Sequence, residues 1–301
     1  MTSRWITTLL LIAATTATAR TGKSAAAPDF PGKSDSPQEE YNAEARELLK
    51  RARAGDASAQ FRLGLALEQG DGVKRDYTLA RGWYEKAAQS GDPAAQNNLG
   101  ALLAKGLGGG QDAAGAVRWY LRAAVSGLAA AQNNLGYMYS TGQGTNVDVG
   151  EAVRWYSKAA AQHFPPAEAN LAHLYSTGRG VAQDEARAAE LYRRAAAAGY
   201  VPAEVGVASM YAQGRGVPRD LGAAARWLRR AAERGSATAQ NNLGFAYEHG
   251  LGVLRDRAAS LFWYRKAAAQ GLAEAQKNVM VMEGGGVEGK TSQVSNDQSF
   301  R

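Results

Sequence analysis

Apolar positions along most of this chain recur at spacings of three and four, the signature of amphipathic helices. Ala95, Leu99 and Gly100 fall on one side of such a helix. The pattern itself repeats every 36 residues: Trp83, Trp119, Trp155, Trp227 and Trp263 share one register, and Leu191 fills its remaining place. Tyr84, Tyr120, Tyr156, Tyr192 and Tyr264 follow directly behind. An alanine pair recurs from Ala87/Ala88 to Ala267/Ala268, then a glycine at Gly91, Gly127, Gly199, Gly235 and Gly271. A Gly-x-Gly recurs from Gly70/Gly72 to Gly250/Gly252, and four residues beyond each pair stands an aspartate, from Asp76 to Asp256. A fixed period of this length is the mark of a repeat array.

Each unit predicts two helices. The first, Ala57 to Gln69 in unit one, ends at the Gly-x-Gly, whose glycines accept positive φ. The second starts at the recurring aspartate, whose carboxylate takes free N–H groups of the first turn, an N-cap worth about 1 kcal/mol. Its aromatic and small residues share one side, and a closing glycine stops it. One hairpin of this kind buries too little to stand alone, so the units must stack. The predicted organisation is a signal peptide at 1–19, a disordered linker at 20–38, a capping helix at 39–55, six repeats at 56–271, a half-repeat helix at 272–283 and a disordered tail at 284–301. The capping helix carries Leu48 and charges where the repeats carry Tyr and Ala, which suits an outward face.

The segment Ala131 to Ala160, AQNNLGYMYSTGQGTNVDVGEAVRWYSKAA, resembles the Sel1-like repeat, a longer relative of the tetratricopeptide repeat, and the resemblance runs from about Asp56 to Glu283. It implies an all-α, right-handed superhelical solenoid of antiparallel helix pairs. Its concave wall, lined by first helices, would take up partner proteins or peptides. Relatives of this type include periplasmic or secreted bacterial adaptors and eukaryotic proteins of endoplasmic-reticulum quality control. Departures are local: His163 replaces the closing Gly, Leu228 replaces Tyr, and Gly109 and Thr145 replace the usual Val after Gly-x-Gly. A cysteine-rich branch is associated with β-lactam compounds, an activity not carried over to a chain with no cysteine.

Composition adjusts this picture. The absence of cysteine excludes disulfides and thiol chemistry. Arg4, the apolar run Trp5 to Ala14 and Ala17-Thr18-Ala19 read as a secretory signal cleaved after Ala19, so a periplasmic or secreted location is expected. That run falls short of the ~20 residues a spanning helix needs, and no integral membrane segment is expected after cleavage. The net charge of +7 is spread along the chain without blocks of like charge, so no nucleic-acid partner is expected.

Candidate chemistry is sparse. Gly284 to Thr291 satisfies G-x-x-x-x-G-K-[ST], but a phosphate loop must follow a strand and open a helix, and helical repeats precede it, so no cofactor is expected. His163, His173 and His249 occupy different repeat positions with no i, i+4 pair, so no metal site is expected. The recurring aspartates read as caps rather than acid catalysts, and no nucleophile stands apart from the repeat pattern. The expectation is therefore not an enzyme but an exported scaffold or adaptor. The alternative is a cell-wall ligand-binding protein or enzyme, which would need convergent carboxylates off the repeat register.

Where packing is shared, residues repeat, and where a partner is read they can differ. Positions 97, 101 and 105 of the first helix lie four apart and form one stripe. Its members include Asn97, Asn133 and Asn241, with Tyr137, His173 and Phe245 at the middle position, and these six residues form the expected partner-binding set.

Overall fold

A computed structural model describes residues 41–284. The signal, the linker, the tail and all of the phosphate-loop-like match beyond Gly284 lie outside the described residues. Within them the chain is a succession of helices, with no strand among the described residues. The order is α1 (Ala43–Arg53), α2 (Ala57–Gln69), α3 (Tyr77–Gln89), α4 (Pro93–Lys105), α5 (Ala113–Val125), α6 (Ala129–Thr141) and α7 (Val149–Ala161). It continues with α8 (Pro165–Thr177), α9 (Glu185–Ala197), α10 (Val201–Gln213), α11 (Leu221–Glu233), α12 (Ala237–His249), α13 (Arg257–Ala269) and α14 (Ala273–Gly284). Even-numbered helices are first helices of a repeat and odd-numbered ones are second helices.

Two compact units divide within α8. An amino-terminal unit runs to Ala167 with Arg179–Val181, and a carboxy-terminal unit takes Glu168–Gly178 and everything from Ala182 onward. In the amino-terminal unit each helix from α1 to α7 packs on the next, and in the carboxy-terminal unit the same holds from α9 to α14.

The caps follow the aspartate register. Asp76 accepts from the N–H of Thr78 and Leu79 at 2.8 and 2.9 Å, and Asp112, Asp148, Asp184, Asp220 and Asp256 each accept from the residue three further on. The N–H of each aspartate also bonds back to a carbonyl in the last turn of the preceding first helix, Asp76 to Leu67 and Asp148 to Tyr139 among them, which closes the loop. First helices are capped less evenly. Asp56, Asp92 and Ser236 cap α2, α4 and α12, whereas Leu128 and Tyr200 make no side-chain cap for α6 and α10.

Two glycine registers serve packing. The first-helix glycine lets the tyrosine of its own repeat lie flat: a Cβ at Gly64, Gly100, Gly136 or Gly244 would fall 2.7–2.9 Å from the ring of Tyr84, Tyr120, Tyr156 or Tyr264. The second loop glycine meets the previous repeat. A Cβ at Gly108 would sit 2.1 Å from the carbonyl oxygen of Tyr77, and at Gly252 2.0 Å from that of Leu221. That loop therefore rests on the first turn of the preceding second helix, a contact no side chain larger than hydrogen permits.

Repeats four and five depart from the first rule together. Ala172 and Ala208 stand in the glycine place. Opposite Ala208 the tyrosine is Leu228, and a small apolar cavity of about 20 Å³ remains, lined by both residues with Leu221 and Asn242. Tyr192 is kept opposite Ala172, but its ring meets Gly206, where an added Cβ would come within 2.5 Å. At the loop before α8, His163 holds φ 56° where its counterparts are glycine, the one non-glycine residue with positive φ among the described residues.

Candidate functional site

Of the six residues predicted to read a partner, five are half-buried on the first helices and Asn241 is buried. In the amino-terminal unit Asn97 sits in a chain of polar side chains. The Asn134 amide donates to Asn97 Oδ1 at 3.0 Å, Asn97 donates to Asn98 Oδ1 at 3.2 Å, and Asn98 donates to the Tyr84 hydroxyl at 3.2 Å. Tyr84 in turn donates to Glu68 Oε2 at 2.7 Å, and Asn133 donates to Asn134 Oδ1 at a long 3.5 Å. Carboxamides suit such a relay because each donates and accepts at once. The half-buried Tyr137 places its hydroxyl 3.4 Å from Gln143 Nε2, which donates to it.

In the carboxy-terminal unit His173 is half-buried on α8, and its carbonyl accepts from the hydroxyls of Ser176 and Thr177. Asn241 is buried and accepts from Asn278 Nδ2 at 3.0 Å, the same bond that joins Asn134 to Asn97. Phe245 stacks on His249 with ring centroids 4.0 Å apart at 23°, and His249 Nδ1 lies 3.1 Å from the Phe245 carbonyl, to which it donates. Phe245 and His249 thus form a stacked aromatic pair on α12.

The structure thus brings Asn97 and Asn133 together through Asn134, and brings Phe245 into contact with His249. The sequence stripe omitted the neighbouring asparagines at positions 98, 134 and 278 and the acceptor Glu68. The recurring Asn-Asn dipeptide was the available signal. Among the described residues no three His, Asp or Glu side chains converge in a way that would hold a metal ion.

Behind the stripe lies a polar register that the sequence reading missed. Gln60, Gln96, Gln132 and Gln240 are buried, and each donates to the carbonyl eight residues back at 3.0–3.1 Å, tying a first helix to the preceding second helix. In repeats four and five this residue is glutamate. Glu168 accepts from Arg194 at 2.5 Å, while the fully buried Glu204 binds Arg230 and Arg234 at 2.8 and 2.7 Å through Oε1. These carboxylates lie on the repeat register and are engaged by arginine within their own repeats, the arrangement of a core ion pair.

The tyrosine ladder is core as well. Burial pushes the phenols of Tyr84, Tyr120, Tyr192 and Tyr264 upward, and that of Tyr200 up to about 12. In Tyr84 and Tyr264 the hydroxyl also donates to Glu68 and Glu248, which favours the protonated phenol further.

Comparison with known proteins converges on one family. The Sel1 repeat model matches residues 57–92, 93–127, 129–164, 165–200, 201–236 and 237–272. A crystal structure of a protective antigen present in uropathogenic Escherichia coli strains, described as displaying an SLR fold, is 36% identical with a TM-score of 0.69, over 81% of this chain and 52% of that one. A Sel1 repeat protein from Oxalobacter formigenes is 35% identical with a TM-score of 0.67, over 77% of this chain and 67% of that one. This chain therefore spans about half the length of the antigen. No curated protein matches it. Six successive repeat matches, each on a helix pair with the Trp-Tyr register or its local substitute, place this chain in the Sel1 repeat family, an all-helical solenoid fold that commonly serves as a protein-interaction scaffold.

Proposed function

We propose that this protein is an exported scaffold that binds partner proteins or peptides on the faces of its first helices, with Asn97, Asn133 and Tyr137 in one unit and His173, Asn241 and Phe245 in the other as the partner-reading residues. One observation carries the reading. The core registers of tryptophan, tyrosine, alanine and glycine are held nearly constant through six repeats, while the half-buried middle position of the stripe runs through Leu65, Ala101, Tyr137, His173, Ser209 and Phe245. Positions released from packing yet not given over to charge are where a protein surface is read. Side chains already fixed by hydrogen bonds or stacking, as around Asn97 and Phe245, lose little further freedom on binding. The basic start, apolar run and small-residue cleavage pattern at the amino terminus support export to the periplasm or beyond.

The test is site-specific photo-crosslinking in intact cells of the source organism. A crosslinker at Ser209 or Ala101 should capture a defined partner, and replacing Tyr137, His173 and Phe245 together with alanine should reduce that capture at least tenfold. Unaltered capture by the triple variant, with its helicity intact, would remove the stripe from the account.

A further inference from the structure

The fold sorts charge between its two kinds of helix in a way the linear sequence conceals. Lysine and arginine on first helices are confined to Arg62, Lys105 and, on α14, Lys277. Second helices carry a stripe at i, i+3, i+4 and i+7, which reads Arg118, Leu121, Arg122, Val125 on α5 and Arg154, Ser157, Lys158, Ala161 on α7. The same stripe in the carboxy-terminal unit reads Arg226, Arg229, Arg230, Glu233 on α11. Acidic residues enter it only as Glu85, Glu190 and Glu233.

On α5 this stripe combines two features. Its arginines reach solvent: the Arg118 side chain is 70% exposed, 3.6 Å from Asp112 at the helix start, and Arg122 stacks over Trp119 at 4.6 Å. Between and beyond them Leu121 and Val125 are 40% and 72% exposed, although this register elsewhere carries glutamate, serine or arginine at the first position and glutamine, alanine or glutamate at the second. The α5 helix has no acidic residue along its length, and in the same register of the next repeat Arg154, 75% exposed, pairs with Glu151 on its own helix. Aliphatic side chains held in water among cations gain nothing from a phosphate backbone, which is recognised by charge and by stacking on planar groups. They do gain from a lipid interface, where cations meet anionic headgroups while leucine and valine reach the acyl boundary.

We propose that the outward face of α5, through Arg118, Leu121, Arg122 and Val125 with Arg154 and Lys158 beside it in register, docks on an anionic phospholipid surface. This surface lies on second helices and is distinct from the first-helix stripe, so a scaffold that reads a partner through first helices, as proposed above, is held to a membrane through α5 and α7.

The experiment is co-sedimentation of the full chain with vesicles of phosphatidylglycerol and phosphatidylcholine mixed one to two, against vesicles of phosphatidylcholine alone. The mixed vesicles should bind the chain more tightly, and added salt should weaken that binding. Arg118→Gln with Arg154→Gln should weaken it about 25-fold, about fivefold for each cation removed. Leu121→Ser with Val125→Ser should weaken it severalfold without changing its salt dependence, circular dichroism showing unchanged helicity in each variant. The proposal is overturned if the wild-type chain does not distinguish the two vesicles, or if the arginine variant keeps wild-type affinity. It is equally overturned if the serine variant binds like wild type while duplex DNA binds more tightly than the vesicles, which would make the stripe a general polyanion surface.

Discussion

A single torsion marks the one place where a repeat closes without its glycine. His163 occupies φ 56°, a region that costs a non-glycine residue about 1–2 kcal/mol. Glycine there removes that cost but gains about 0.5–1 kcal/mol of freedom in the unfolded chain, so His163→Gly should raise stability by about 0.5–1 kcal/mol. A thermal melt of the variant checks this, and an unchanged or lower midpoint would show the imidazole contributing more than its backbone costs. The departure at His163 was visible in the sequence because every other closing position in the register is glycine. The second loop glycine was equally visible, but its reason was not. Positive φ explains a glycine there, whereas the approach of Gly108 to the Tyr77 carbonyl involves a residue 31 positions earlier in another repeat.

At the scale of one helix pair, packing is decided by matched residues. Where Ala208 replaces glycine, Leu228 replaces tyrosine, and the apolar cavity beside them is what the exchange leaves. Leu228→Tyr alone should destabilise by forcing the ring onto Ala208, whereas Ala208→Gly with Leu228→Tyr restores the arrangement of Gly100 and Tyr120. A double-mutant cycle followed by denaturant unfolding should show a favourable coupling of about 1–2 kcal/mol, and additive effects would reject the pairing. The glutamate of repeat five gives a second test. Removing both Arg230 and Arg234 strands the buried Glu204 and should cost about 3–5 kcal/mol. Adding Glu204→Gln should recover most of that loss, because a glutamine at this register donates to a backbone carbonyl as Gln96 does to Ala88. The helices, the aspartate caps of the second helices and the order of the elements were legible in the sequence, since each rests on a local signal such as Asp148 before Val149. The glutamine struts were not, because a buried glutamine and an exposed one look alike until the preceding helix is in place.

Over the whole molecule, the repeat disperses its patterns. Asn97 meets Asn134, 37 residues on in the next repeat, and Arg118 has its counterpart one period of 36 on at Arg154. A charge spread evenly along the sequence thus becomes a sorted surface, which is why composition alone gave no hint of it. The variable stripe proposed to read a partner was legible as variation against a constant frame, but the hydrogen bonds around it were not. The tyrosine ladder has a measurable consequence for the molecule. Its phenols titrate higher folded than unfolded, so the unfolded chain releases protons first as pH rises. Their contribution to stability is complete below about pH 10 and is lost above it, as pH climbs toward their folded values. Phenolate absorbance should therefore show these tyrosines ionising only with unfolding, and free titration near pH 10 in the folded state would contradict their burial.

The repeats hold each other folded, and excising one helix pair tests this most directly. Deleting residues 93–128 removes α4 and α5 in register and leaves α3 to meet α6 through the same kind of junction. Circular dichroism should show a helical chain that melts in one transition, with its midpoint lowered by roughly 5 °C or more. A midpoint equal to that of the full chain would mean that the neighbouring hairpins never relied on the missing one.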